Sequence, residues 1–158
     1  MTAMKYIPMI NSDLMAVVDD DDYEMIIVYR WRAMKPKHSH TPYAVRSTRP
    51  QVYMHRLIMS APPGSKVDHR DMNGLNNLRS NLRFATQSQQ MANSRSRPGT
   101  SVYKGVSWDK SSGYWRAALV INGRQIMKLA HMELEAAKKY NALAIEHFGE
   151  FARLNEIP

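Results

Sequence analysis

Residues 66–95 read KVDHRDMNGLNNLRSNLRFATQSQQMANSR, and the fold turns on how this stretch divides. KVDH is a very short strand. RDMNGLNNLRSN is a polar loop that contains Asn73-Gly74, a turn dipeptide. LRFAT is a second short strand. Thr86 followed by Gln89 three residues on is a capping box, so a helix opens there. The middle of the chain is therefore strand, long polar loop, strand, helix. A hairpin followed by a helix can bring Asp68 and His69 together with that helix's first turns.

Working upstream, VYMHRLIMSA (52–61) is a strand running into a short helix, and APPGSK is a turn. The first fifty residues read as short strands. LMAVV leads into the acid block Asp19–Asp22, which opens a turn or helix or forms a solvated acidic loop. EMIIVYRWRAM (24–34) and PYAVRS (42–47) are β-rich and pair as a hairpin across KPKHSHT. His38 and His40 stand there at i, i+2 as a metal pair or, lacking a carboxylate or cysteine beside them, a plain loop. Downstream, SRSRPGTS (94–101) reads as linker. YKGVSW, YWRAALVI and RQIMKLA are three strand-like runs separated by SSG and NG, the latter a strong hairpin signal. ELEAAKKYNALAIEHF has helical period, with Ala136, Tyr140, Leu143, Ala144, His147 and Phe148 on one face. Gly149 is placed to cap its C-terminus. The class is α+β: residues 1–95 with a core at 52–95, a linker at 96–101, and a three-stranded antiparallel sheet with one helix at 102–158.

The 158 residues carry 22 Lys+Arg against 14 Asp+Glu, a formal net charge of +8. That excess favours a polyanionic partner, nucleic acid before an anionic membrane surface. Residues 51–100 hold seven basic and two acidic residues, net +5, and are the most basic third. At 44% hydrophobic and 23% charged the chain is globular. No apolar run approaches the about 18 residues of a membrane span, and the start lacks a signal-peptide pattern. The absence of cysteine excludes disulfides, thiolate zinc sites and a cysteine nucleophile. A cytoplasmic location is the expectation, with no membrane and no obligate protein partner.

The residue types in the middle stretch suit phosphodiester chemistry. A histidine titrates near neutrality and can act as general base. Asp68 is a hard oxygen ligand, and the helix supplies amide oxygens from Gln89, Gln90 or Asn93; Gln90 and Asn93 share a face at i, i+3. One carboxylate with amides makes an open oxygen site suited to one Mg²⁺ or Mn²⁺ completed by water and phosphate.

MHRLIM…VDHRDMNGLNNLRSNLRFATQSQQMAN resembles the HNH endonucleases of phages and mobile introns over about residues 52–95, and IPMI…VVDDDDYE…YRW…YAVR resembles their usual N-terminal part. The resemblance implies a ββα-metal site. It implies His69 as the base that activates water, Asp68 as a metal ligand, and Asn81 as the asparagine that holds the His loop, with Asn77 the second candidate for that role. The helical ligand position, usually Asn or His in the family, is Gln90 here; Asn93, one turn later, is the other candidate. His55 and Arg56 match the family's HR pair, with His55 packed and Arg56 available to phosphate. Arg83 flanks the site and is a further candidate DNA contact.

YKGVSW…YWRAALVINGRQIMKLA…EAAKKYNALAIEHFGEFARLN resembles the plant-type APETALA-two/ethylene-response-factor DNA-binding domain. The resemblance implies a sheet laid into the major groove of double-stranded DNA with the helix behind it, and Lys104, Trp108, Arg116, Arg124 and Lys128 as contacts. Trp115 is either a contact or core. From Val102 to Met132 five cations face one acid, net +4. Two departures stand out: Leu129-Ala130-His131-Met132 replaces the family's L-G-x-F turn, and Ser107 stands where arginine is common. The expected function is a site-specific DNA endonuclease with a single metal and a His base, positioned by a C-terminal reader. The alternative is a DNA-binding protein whose nuclease activity is weakened or lost.

Overall fold

The computed structural model describes residues 3–37, 39–96 and 99–158. His38 of the His38/His40 pair and residues 97 and 98 of the expected linker lie outside them. The chain divides into two compact units, Met1–Ala85 and Thr86–Pro158.

In the first unit, β1 (Met4–Pro8) pairs antiparallel with β2 (Met15–Asp19), and α1 (Asp20–Ile27) follows directly. Strands β3 (Arg32–Met34), β4 (Tyr43–Arg46) and β5 (Val52–Tyr53) form an antiparallel sheet in that order. Then come α2 (Met54–Ile58) and the hairpin β6 (Lys66–His69) and β7 (Leu82–Ala85). The core joins these pieces through Ile7, Val18, Ile26, Trp31, Met54, Ile58, Val67 and Leu82. The loop between β6 and β7 is stitched to β2: Val17 N donates to Leu75 O at 2.9 Å, and Asn77 N to Val17 O at 2.8 Å.

One expectation is corrected here. Residues Glu24–Ile27, β-rich in composition, are the second half of α1, so the hairpin partner of PYAVRS begins only at Arg32. The acid block decides this. Asp20, Asp21 and Asp22 occupy the first helical turn, where the backbone N–H groups and the helix dipole favour carboxylates. Asp22 is not in a solvated loop: it is buried and accepts from Arg79 Nε at 2.8 Å and Nη2 at 2.7 Å. Arg79 N also donates to Asp19 Oδ2 at 2.7 Å.

The second unit opens with α3 (Gln87–Asn93), whose capping box forms as the sequence predicts: Gln89 N donates to Thr86 Oγ1, and Thr86 N to Gln89 Oε1. Strands β8 (Val106–Asp109), β9 (Tyr114–Ile121) and β10 (Arg124–Ala130) make an antiparallel sheet with β9 central. Helix α4 (Glu133–Phe148) lies on it, ending at Gly149 with φ 50°. Ala136, Ala137, Tyr140, Leu143 and Ala144 meet Val106, Ala117, Leu119 and Ala130 in the core; His147, expected on that face, is exposed. Small residues on both sides let helix and sheet approach closely. Gly105 (φ +69°) shows how closely: a Cβ there would sit 2.1 Å from the Tyr140 ring. Among the described residues no helix is long and apolar enough to cross a membrane.

Candidate active site

Pairing in the β6–β7 hairpin sets Asp68 opposite Arg83 and His69 opposite Leu82. Successive strand side chains alternate faces, so Asp68 and His69 leave the hairpin on opposite sides. His69 turns inward and is 5% exposed. Asp68 Oδ2 accepts from Arg83 Nε at 3.1 Å and Nη2 at 3.0 Å, and both side chains are largely buried. Arg83 thus orients the carboxylate from within the protein.

His69 Nε2 lies 3.4 Å from Asn77 Oδ1. With the amide oxygen accepting in this contact, the ring proton is on Nε2 and the basic lone pair on Nδ1. Burial pushes the His69 pKa below 6.5; the Asn77 bond and the Asp71 and Asp68 carboxylates push it back without overcoming that. The imidazole is therefore neutral at pH 7, the form a general base requires. His55 packs edge-on against it with ring centroids 5.0 Å apart, and Tyr43 lies 5.8 Å from both rings. Burial, then the neighbouring His69 and Arg56, lower His55 to about 3. His55 is a packed residue, as the sequence suggests, and its Nδ1 has no hydrogen-bond partner among the described residues.

Asn81 and Asp71 lock the loop that follows His69. Asn81 Oδ1 accepts from Asp71 N at 3.1 Å, while Asn81 Nδ2 donates to Asp71 Oδ1 at 2.9 Å and Asn76 O at 2.8 Å. Asp71 also accepts from Asn73 N at 2.8 Å and Asn76 Nδ2 at 2.7 Å. Arg70 N donates to Asn81 O across the loop neck at 2.9 Å. The two asparagines thus divide the work: Asn81 fixes the loop backbone, and Asn77, fully buried, meets the imidazole. Asp71 and the Asp22–Arg79 pair have no place among the sequence candidates. The one signal for Asp71 was its Asp-x-Asn spacing, which forms an Asx turn.

Gln90 and Asn93 lie on α3 in the second unit, Gln90 half-buried and Asn93 buried. Their amide oxygens, like the Asp68 carboxylate of the first unit, are hard donors of the kind that Mg²⁺ or Mn²⁺ takes. No group of three or more His, Cys, Asp or Glu side chains that could hold a metal ion occurs among the described residues. An ion held by so few protein oxygens would keep most of its waters, as Mg²⁺ does.

Besides Arg83, which is bound to Asp68, two candidate DNA contacts are engaged by carbonyls of the protein. The Arg56 guanidinium donates to the carbonyls of Ser65 (2.5 Å), Ala61 (3.3 Å) and Pro62 (2.8 Å), fastening the Pro-Pro-Gly turn. Lys104 Nζ donates to Met91 O (3.1 Å), Ala92 O and Ser94 O (2.6 Å) at the end of α3. The other four divide by face. Residues directly opposed in a sheet share a face. Trp108 opposes Trp115, Lys128 opposes the buried Ala117, and Arg124 opposes Ile121. These three stand on the side that α4 covers, with Trp108 and Trp115 ring centroids 5.3 Å apart. Arg116 stands on the other side, with Ser107, Ala118 and Met127, its guanidinium 3.8 Å from Asp109. Arg116 thus faces away from Trp115 and Ala117, as strand alternation requires, while Lys128 and Arg124 stand on the helix side.

No protein-family model matches the chain, and no solved structure does. Two relatives do. The chain is 33% identical over 93 residues to Protein 3.8 of Escherichia phage T7, an alignment covering 58% of this chain and 77% of that protein. It is 36% identical over 149 residues to an Acanthamoeba polyphaga mimivirus protein described as an uncharacterized HNH endonuclease, covering 90% of this chain and 75% of that one. With the strand–loop–strand frame of His69, Asn77 and Asn81 falling inside an alignment of that length, the chain belongs to the HNH endonuclease family.

Proposed function

We propose that this protein is a DNA endonuclease in which His69 is the general base. The observation that carries the reading is the buried, neutral His69 imidazole, its tautomer set by Asn77 in a loop locked by Asn81 and Asp71. Nδ1 takes a proton from water as its oxygen attacks the phosphorus, and the phosphodiester bond to the leaving oxygen breaks. The imidazolium so formed sits near the Asp68 and Asp71 carboxylates, which favour it. Asp68 would hold a divalent ion, Mg²⁺ or Mn²⁺, and Gln90 or Asn93 is the helical ligand that the family resemblance implies. When bound, that ion offsets charge on the phosphate and leaving oxygen. Arg83 holds the Asp68 carboxylate in place.

The substrate is double-stranded DNA, a reading supported by the net charge of +8 and by family membership. The sheet β8–β10 with α4, in the strand–strand–strand–helix order that the APETALA-two/ethylene-response-factor resemblance implies, serves as a DNA-binding module. Arg116, on the sheet face away from α4, is its candidate phosphate contact; Arg124 and Lys128 are exposed cations of the α4 side, and Arg56 and Lys104 are engaged by carbonyls.

Incubation of the protein with supercoiled plasmid in Mg²⁺, Mn²⁺ or EDTA tests this, beside His69→Ala. Metal-dependent nicking, lost in the variant while DNA affinity stays within a few-fold, is the expected result. Retained cleavage by His69→Ala would remove His69 as the base. Salt-sensitive DNA binding without any cleavage by the wild type would favour a binding protein, with Gln90 in place of the family's asparagine as the first residue to revert.

A further inference from the structure

We infer that Lys104 is a positioning residue for α3, the helix that carries the candidate ligands Gln90 and Asn93. This rests on the reading of Gln90 and Asn93 as the helical ligand positions. Helix α3 is only seven residues long, too short to be stable alone. A capping box serves its N-terminus; its C-terminus is met by Lys104 and Arg153 of the same unit. The Lys104 ammonium collects three carbonyls there, those of Met91, Ala92 and Ser94, oxygens that a helix end leaves without intrahelical donors. Arg153 N adds a bond to Ala92 O at 3.2 Å.

Lys104 is itself fixed from behind. Its N donates to Asn155 Oδ1 at 2.6 Å, and Asn155 Nδ2 donates to Lys104 O at 3.1 Å. Asn155 is in turn held by α4: Asn141 Nδ2 donates to Asn155 O at 2.9 Å, and Asn155 N to Asn141 Oδ1 at 2.8 Å. The bonds therefore run α4, Asn155, Lys104, α3. Burial lowers Lys104 to about 8, with Arg153 adding to the effect, so at pH 7 the amine is still charged and donates all three hydrogens. The three carbonyls take up the donors that a phosphate would otherwise use.

The test uses the full chain as wild type, Lys104→Met and Lys104→Arg. Three readouts are taken: plasmid nicking against Mg²⁺ or Mn²⁺ concentration, DNA affinity against salt, and amide hydrogen exchange across residues 87–94. Loss of a group that orients metal ligands costs at least about 10-fold in metal affinity or activity. Lys104→Met is therefore expected to need about 10-fold more metal for half-maximal nicking, with DNA affinity and its salt slope unchanged and α3 amides exchanging faster. Lys104→Arg, which keeps the charge and donors, is expected to recover part of the loss. An unchanged metal requirement, with the salt slope reduced by about 1, would make Lys104 a phosphate contact and overturn the inference. Unchanged α3 exchange overturns it by itself, whether or not the protein cleaves. Absence of nicking by the wild type would overturn the catalytic coupling together with the nuclease reading, leaving faster α3 exchange as evidence of a structural cap alone.

Discussion

Removing one or the other partner of the Asp22–Arg79 pair should have unequal consequences, because the two side chains differ in exposure. The Asp22 side chain is 4% exposed and that of Arg79 54%. Arg79→Ala strands a buried carboxylate that had two charge-assisted bonds, at 2.8 and 2.7 Å. Breaking a buried pair from one side costs about 3–5 kcal/mol. The half-exposed arginine and the favourable α1 N-terminus place this case near about 3 kcal/mol. Asp22→Ala instead releases a guanidinium that water can solvate, for about 1–2 kcal/mol. The double variant should lie close to Asp22→Ala, since no buried charge is left unpaired. Urea unfolding should be followed by the Trp31 indole N–H resonance. That group donates to Ile26 O at 2.8 Å and belongs to the first unit, whereas Trp108 and Trp115 report on the second. Equal costs below about 0.5 kcal/mol for both single variants would refute the reasoning and make the pair a screened surface contact. A real clamp also holds the loop that carries Asn77, so plasmid nicking by Arg79→Ala should fall even at temperatures where the fold persists.

Acid should destabilise the first unit through its histidines. Folded His55 titrates near about 3 rather than 6.5, so between those pH values the unfolded chain binds a proton that the folded chain refuses. Stability therefore drops as pH falls through this window, by up to about 1.4 kcal/mol per pH unit, and His69 shifts the same way. His55→Phe, which keeps the ring packing, should move the acid-unfolding midpoint to lower pH; an unchanged midpoint would refute this. Gly105→Ala should destabilise the second unit by about 3 kcal/mol, from the left-handed backbone and the clash with Tyr140, read as earlier loss of the Trp108 and Trp115 signals in urea; a loss below about 1 kcal/mol would show that Tyr140 moves aside.

Local signals were legible where one short-range rule acts. The Thr86–Gln89 box, the Asn122-Gly123 hairpin and the helical period from Glu133 each appear where the pattern puts them. EMII is helical because its β-rich composition is outweighed by three carboxylates in the first turn and by a partner, Arg79, far along the chain. Asn77 and Asn81 could not be ranked from spacing, since both stand in a polar loop; burial and hydrogen bonding give them different tasks.

Cations are the residues that sequence resolves least well, and the reason bears on how the protein meets DNA. A lysine or arginine has the same charge whether it faces a phosphate or caps a carbonyl, so the net +5 of residues 51–100 registers both. Of those seven cations, Arg56 is fastened to a turn, Arg79 to Asp22 and Arg83 to Asp68. Lys104 in the next segment closes α3. Counterion release follows the number of phosphates actually contacted, about 0.9 in the salt slope for each, and an engaged side chain contacts none. The formal charge of +8 therefore overstates the electrostatic part of binding. These four cations act instead on geometry: two of them fix the carboxylates of Asp22 and Asp68, one fixes the turn before the hairpin, and one fixes the helix after it. Positive charge in this chain is concentrated around the candidate site because the site's own frame is built from it.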